Sequence, residues 1–123
     1  YIFADKISKN EPLPVFNHGN MKRDFTYIDD IIQGLRSSIR NNYPCEVFNL
    51  GNKRCENLMD MIKIIEKELN SSANYTYMDI QPGDVEKTYA DIGHSEKLLN
   101  YNPKTSIHEG IPKFINWYKD YRL

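Results

Sequence analysis

The sequence has little cysteine, almost no net charge and no long hydrophobic run. Only Cys45 and Cys55 occur, too few for a disulfide framework or a zinc ligand set, so we expect both to be reduced and structural. The formal net charge of −1 gives no overall field that would attract nucleic acid or an anionic membrane. No apolar run approaches the roughly 20 residues that span a bilayer, and no signal-peptide pattern is present. These absences predict a cytoplasmic protein without a nucleic-acid or membrane partner.

The remaining composition is that of a globular domain. Hydrophobic residues make up 40% of the 123 residues and charged residues 27%. The first residue is Tyr1 rather than Met, and the run that follows is already helix-like. This start predicts a fragment of a longer protein.

Apolar periodicity predicts the helices. Residues 28–41 carry apolar side chains at the spacing of one helical face, namely Ile28, Ile31, Ile32, Leu35 and Ile39. A second amphipathic helix is predicted over 57–70, with Asn57 as its N-cap. Shorter patterns predict a helix end in residues 1–10, a helix over 94–100 and one over 107–121. The last begins at a Ser106–Glu109 capping box, and Pro112 should kink it or delay its start.

Four short segments have strand character. They are residues 13–16, the β-prone run 25–27, residues 46–50 and residues 74–80. Most of the nine tyrosines are expected to pack in the core or on strands. The alternation of strands and helices predicts an α/β fold with a thin sheet.

One motif is specific enough to indicate a family. Residues 19–30 read Gly-Asn-Met-Lys-Arg-Asp-Phe-Thr-Tyr-Ile-Asp-Asp. This run resembles the signature of extended short-chain dehydrogenase/reductases that act on nucleotide sugars, the NAD-dependent epimerase/dehydratase family. Further matches follow in the family's order at 47–51, 81–85, 88–91, 101–105 and 110–118. The closest pattern within the family is that of the UDP-glucuronate 4-epimerases, and the resemblance covers about the last third of a whole enzyme.

The resemblance implies a fold in which separate regions of the enzyme bind the nucleotide sugar and NAD. Residues 1–123 would be the C-terminal nucleotide-sugar-binding region, and an N-terminal Rossmann domain that binds NAD would be missing. In the family, helix 28–41 and the strand at 46–50 flank that domain, so this chain alone should expose apolar faces. The parent enzyme, expected to be a homodimer, would oxidise C4 of a UDP-sugar to a ketone, let the sugar rotate and reduce it again.

The same resemblance assigns five substrate-binding residues. Arg23 would bind the diphosphate, for which its planar fork of donors is suited. Phe16 would stack on uracil, Asp84 would bind the ribose hydroxyls and Thr88 would face the hexose. Gln81 stands where UDP-galactose 4-epimerases usually carry a second arginine. Each has an ordinary alternative: a solvated arginine, a core phenylalanine or polar loop side chains.

The sequence also lacks the family's catalytic elements. Its six glycines never form the Gly-rich turn that binds NAD, and none of the nine tyrosines is followed four residues later by lysine, so no catalytic Tyr-x-x-x-Lys pair exists. The three histidines lack metal-ligand spacing. We therefore expect a fragment that is inactive alone, with no catalytic, cofactor-binding or metal-binding residue. Two alternatives remain open: a fragment of a UDP-glucuronate decarboxylase or dTDP-glucose 4,6-dehydratase, and a non-catalytic nucleotide-binding module.

Overall fold

The fold is mixed α/β, as the sequence predicts, in a computed structural model that describes residues 1–122. Five helices and four short strands are interspersed along these residues. The helices are α1 (Ile2–Ser8), α2 (Ile28–Asn41), α3 (Leu58–Leu69), α4 (Gly93–Leu99) and α5 (Ile107–Arg122). The strands are β1 (Pro12–Val15), β2 (Lys22–Arg23), β3 (Glu56–Asn57) and β4 (Asn74–Tyr77), and a 3-10 turn, Phe16–Gly19, follows β1.

The strands form two separate pairs rather than one thin sheet. β1 and β4 are parallel, with Leu13 opposite Tyr75 and Val15 opposite Tyr77. β2 and β3 are antiparallel, and Lys22 of β2 also bridges in parallel to Lys87. Each pair is therefore small, and helices supply most of the packing surface.

Two hydrophobic clusters hold the described residues together. The larger joins α1, β1, α3 and α5, and its fully buried side chains include Leu13, Ile62 and Ile115. The smaller consists of Ile92, Leu99 and Tyr101, with Phe48, Leu50 and Ala90 packed against it. The Tyr101 hydroxyl donates a hydrogen bond to the Gly51 carbonyl at 2.9 Å, which satisfies its one polar group.

Several predicted elements need correction. Residues 46–50 are not a strand, because no neighbouring strand in residues 1–122 offers them a backbone ladder. The run 25–27 is likewise irregular, and the predicted strand 74–80 ends at Tyr77. Tyr101 and Tyr118 are fully buried, and Tyr75 and Tyr77 lie on β4, so the prediction that most of the nine tyrosines pack in the core or on strands is wrong. Five are exposed, namely Tyr1, Tyr43, Tyr77, Tyr89 and Tyr121. Cys45 is exposed too, so it has no packing role.

Helix ends follow the predicted positions but not always the predicted contacts. Asn57 is the N-cap residue of α3, yet its side chain donates to Asp60 Oδ2 instead of capping a backbone amide. The Glu109 carboxylate accepts from Ser106 N–H at 3.3 Å, which is one half of the predicted capping box. Because α5 begins at Ile107, Pro112 does not delay its start.

Helix α2 is amphipathic, but most of its apolar face is exposed instead of packing against the chain. Its one buried residue is Gly34, where a Cβ would lie 2.5 Å from Leu50 Cδ2 and 3.0 Å from Tyr101 Cδ2. Four of its five apolar side chains are exposed, with 57% of Ile28, 41% of Ile32, 47% of Leu35 and 68% of Ile39 accessible. The chain therefore exposes an apolar stripe on α2, as the resemblance implies.

Candidate functional site

The predicted diphosphate ligand Arg23 lies in a small ladder of three segments. β3 runs antiparallel on one side of β2, and residues 86–88 run parallel on the other. Lys22 N–H donates to the Glu86 carbonyl at 2.8 Å, and Thr88 N–H donates to the Lys22 carbonyl at 3.2 Å. Predicted residues Arg23 and Thr88 are thus brought onto adjacent segments.

The guanidinium of Arg23 is held over this ladder. Its Nη1 atom donates to the Lys22 carbonyl at 2.9 Å and to the Glu86 carbonyl at 3.3 Å. Arginine carries five N–H donors, so these two bonds leave further donors for a ligand. The side chain is half-buried. It is therefore oriented by its own backbone surroundings and still reachable from solvent.

Gln81 and Asp84 lie in the loop that enters this ladder. Asp84 N–H donates to the Gln81 carbonyl at 3.0 Å, and Gly83 between them has φ +90°, a conformation that favours glycine. Both side chains and that of Thr88 are exposed. The loop thus brings Gln81 and Asp84 together, at most five residues before the segment that contacts Arg23.

Phe16 is positioned by different elements. It follows β1 in the 3-10 turn and is half-buried. The backbone bonds around it run to the end of β4, from Met78 N–H to the Val15 carbonyl and from His18 N–H to the Met78 carbonyl. Phe16 is therefore anchored to the β1–β4 pair, whereas the other four predicted residues share the β2 ladder and its entry loop.

Two clefts lie near these residues, and none of the five predicted side chains lines either one. An apolar cleft of about 400 Å³ opens among Phe3, Phe25, Ile28, Ile111 and Phe114. A more polar cleft of about 490 Å³ is lined by Lys22, Asn57, Asp60 and Lys87. Arg23 follows Lys22 in a strand, so its side chain leaves from the opposite face. The predicted binding surface is therefore open rather than enclosed in residues 1–122.

Sequence reasoning missed the role of Asp24. Its Oδ1 atom accepts from Asn52 N–H at 2.7 Å and from the Thr26 hydroxyl at 3.2 Å. Its Oδ2 atom accepts from Ala90 N–H at 3.0 Å and from Lys53 N–H at 3.2 Å. The signal was its place within the Arg-Asp-Phe-Thr run, which we used only to recognise the family.

Asp30, the last residue of the same motif, is also a structural acceptor. Its carboxylate takes hydrogen bonds from Thr105 N–H at 3.0 Å and Lys104 N–H at 3.3 Å. It thereby ties the start of α2 to the segment before α5. Asp24 and Asp30 therefore hold loops, whereas Arg23 keeps N–H donors available for a ligand.

The described part of the chain offers neither a metal centre nor a membrane span. Residues 1–122 contain no group of three or more His, Cys, Asp or Glu side chains that could hold a metal ion. No helix within the same range is long and apolar enough to cross a bilayer.

Comparisons with known proteins agree with the motif. The profile of the NAD dependent epimerase/dehydratase family matches residues 2–51. An uncharacterized protein of Methanocaldococcus jannaschii is 46% identical over 98% of this chain and 38% of its own length. The UDP-glucuronate 4-epimerase of Thermodesulfobacterium geofontis is 37% identical over 96% of this chain and 36% of its own length.

A solved structure matches in the same way. The UDP-glucuronic acid 4-epimerase of Bacillus cereus, crystallised with UDP-glucuronic acid and NAD, superposes with a TM-score of 0.85 at 32% identity. The match covers 96% of this chain and 38% of that enzyme. The chain carries the sequence motif and the fold of the NAD-dependent epimerase/dehydratase family, and it spans about two fifths of the length of these relatives.

Proposed function

We propose that this chain is the C-terminal nucleotide-sugar-binding region of an NAD-dependent nucleotide-sugar 4-epimerase, and that the sugar nucleotide is UDP-glucuronate. The observation that carries the proposal is the β2 ladder, in which Arg23 is oriented toward the segment that follows Gln81 and Asp84. Similarity to UDP-glucuronate 4-epimerases over nearly the whole chain supports the choice of sugar nucleotide.

The chemistry of the ladder suits a nucleoside diphosphate. A guanidinium donates two parallel bonds to phosphate oxygens, and such charge-assisted bonds are stronger than neutral ones. Asp84 supplies a carboxylate that can accept hydrogen bonds from ribose hydroxyls. Thr88 would face the hexose from the adjacent position, and Phe16 would stack on uracil. In this arrangement the chain contributes orientation of the substrate, not bond making.

The residues of this chain do not fit NAD. A dinucleotide site needs a strand that passes through a Gly-rich turn into the N-terminus of a helix. Here β1 runs into the 3-10 turn Phe16–Gly19 instead of a Gly-rich turn that opens an α-helix. We propose that NAD and the catalytic base belong to an N-terminal domain outside this chain, and that the chain alone is inactive.

The test of the proposal is calorimetric titration of the chain with UDP and with uridine. We expect Arg23→Ala to weaken UDP binding by about 10- to 150-fold, the equivalent of roughly 1.5–3 kcal/mol for a lost charge-assisted bond. Uridine lacks the diphosphate, so its affinity should not change. Arg40→Ala, which removes an exposed arginine of α2, is the matched control and should leave both affinities unchanged.

Two results would overturn this proposal. One is a folded wild-type chain, verified by circular dichroism, that does not bind UDP. The other is equal loss of UDP affinity in the Arg23 and Arg40 variants. A panel of UDP-glucuronate, UDP-glucose and dTDP-glucose separates the alternatives, because a preference for the thymidine nucleotide would indicate a dehydratase fragment. Epimerase activity from the chain with added NAD would refute its inactivity.

A further inference from the structure

The carboxylate of Asp24 joins three parts of the chain. Its four donors come from Thr26, two residues further on, from the loop at Asn52 and Lys53, and from Ala90. In sequence these partners lie up to 66 residues away. A carboxylate has about four acceptor positions, so this group is fully used within the chain.

The loop around Gly51 is shaped to receive this carboxylate. A Cβ on Gly51 would lie 2.4 Å from Ala90 Cβ and 2.8 Å from Asp24 Oδ2, so the three segments meet at a distance that only glycine permits. Lys53 has φ +59°, in the left-handed region that a lysine rarely adopts. Successive backbone N–H groups in such a turn form an anion-binding concavity, and here the anion is Asp24 itself.

The two residues joined by this bond, Asp24 and Ala90, each lie close in sequence to a residue of the proposed binding surface. Asp24 directly follows Arg23, and Ala90 comes two residues after Thr88. The bond between Asp24 and Ala90 N–H therefore acts together with the two backbone bonds of Lys22 to hold residues 86–90 against β2. That placement in turn brings the Glu86 carbonyl within 3.3 Å of Arg23 Nη1.

We infer that Asp24 is a positioning residue for Arg23, which fixes the guanidinium against residues 86–90 for diphosphate binding. This inference rests on the proposed function. A purely structural role of Asp24 would lower the stability of the whole chain without any preference for the diphosphate. The two roles therefore differ in what they do to UDP relative to uridine.

The test is a double-mutant cycle between Arg23→Ala and Asp24→Asn. The affinities for UDP and uridine are measured at a temperature well below the lowest thermal unfolding midpoint of the four proteins in the cycle. Asn keeps the shape of Asp but replaces one acceptor oxygen by a donor that faces backbone N–H groups. We expect Asp24→Asn to weaken UDP binding about tenfold and to leave uridine binding unchanged. In the Arg23→Ala background it should cause no further loss, because the two residues act through one contact.

Asp30→Asn is the matched control. It also removes a motif carboxylate that accepts two backbone N–H groups, but those belong to Lys104 and Thr105 rather than to the β2 ladder. We expect it to lower the unfolding midpoint without changing UDP affinity. If Asp24→Asn does not fold, Gly51→Ala gives a second route, because the added methyl group should push Ala90 away from Asp24. The same selective loss of UDP affinity is expected.

The outcomes separate the inference from the proposed function. Absence of Arg23-dependent UDP binding in the wild-type chain would refute the proposed function, and the inference with it. Arg23-dependent binding combined with equal losses for UDP and uridine in the Asp24 and Gly51 variants would overturn the inference alone. A loss from Asp24→Asn that simply adds to that of Arg23→Ala would also overturn it.

Discussion

Helices α2 and α3 have the same kind of sequence pattern and opposite surroundings. Each carries apolar residues on one face and charged residues on the other, and both helices form where periodicity predicts them. The apolar face of α3 is buried, with Met61, Ile62 and Ile65 in the larger cluster. The apolar face of α2 is exposed, and the residue that this helix buries against the chain is Gly34. A periodic pattern thus predicts a helix, but it does not say what covers the helix.

The largest effect is expected at the buried face of α3. Ile62 is fully buried, so Ile62→Ala should remove its contacts and leave a cavity. We expect a loss of about 2–5 kcal/mol in the free energy of unfolding, measured by urea denaturation. Ile62→Val is the graded control and should cost about 0.5–1.5 kcal/mol. Similar small losses for both variants would contradict the tight packing of α3.

The anchor of α2 at Tyr101 should appear as a pH dependence. Burial, with Asp30 and Asp24 nearby, raises the pKa of Tyr101 to about 12. An unfolded tyrosine has a pKa of about 10, so the folded state favours the neutral phenol. The stabilisation is complete below about pH 10 and is lost as pH rises toward 12, by up to about 2.7 kcal/mol.

Urea denaturation at a series of pH values from about 9 to about 12, which brackets the unfolded pKa, checks this expectation. Tyr101→Phe should lessen the decline over this range. Part of the decline should remain, since burial together with Glu66 raises the pKa of Tyr75 to about 12 as well. An unaltered profile in the Tyr101 variant would mean that its hydroxyl is solvated in the folded chain.

The polar anchor of α2 should give a moderate effect. Asp30→Asn weakens the acceptor for the backbone N–H groups of Lys104 and Thr105, and we expect it to cost about 1–3 kcal/mol of stability. Asp29→Asn, one residue earlier on an exposed position, should cost less than about 1 kcal/mol through the helix dipole alone. Thermal unfolding of the pair measures the difference. Equal losses would indicate that the dipole, not the link to residues 104–105, explains the role of Asp30.

The smallest effect on stability is expected on the apolar stripe of α2. The double variant Ile32→Ser, Leu35→Ser changes side chains that are already exposed, so the free energy of unfolding should stay within about 1 kcal/mol of the wild type, roughly twice the usual surface effect. Fluorescence of a hydrophobic dye should fall, because exposed apolar surface is removed. A loss as large as that of Ile62→Ala would mean that the stripe is covered in solution, and the comparison of α2 with α3 would then fail.

For the candidate site too, the sequence predicted some features and only the structure showed others. The motif at residues 19–30 was enough to select Arg23, and the structure brings Arg23 and Thr88 onto adjacent segments. The place of Asp24 within the Arg-Asp-Phe-Thr run marked the residue, but the sequence did not indicate which loops Asp24 and Asp30 hold. Their partners are mostly backbone N–H groups, which carry no residue signature. The titrations above test the role of Arg23. The substrate roles of the other four residues stay predictions, namely those of Phe16, Gln81, Asp84 and Thr88.

Local patterns determined the helices of this protein. Helix α2 and helix α3 depend on spacing within about 14 residues, and that spacing can be read directly from the chain. Only the tertiary structure decided which predicted strands pair and which helix faces are buried. Residues 46–50 have a strand-like sequence but no partner strand in residues 1–122. Helix α2 is amphipathic, but the residue that it packs against its neighbours is Gly34. The physical reason is that strand pairing and burial require a second surface, and that surface comes from residues far away in sequence.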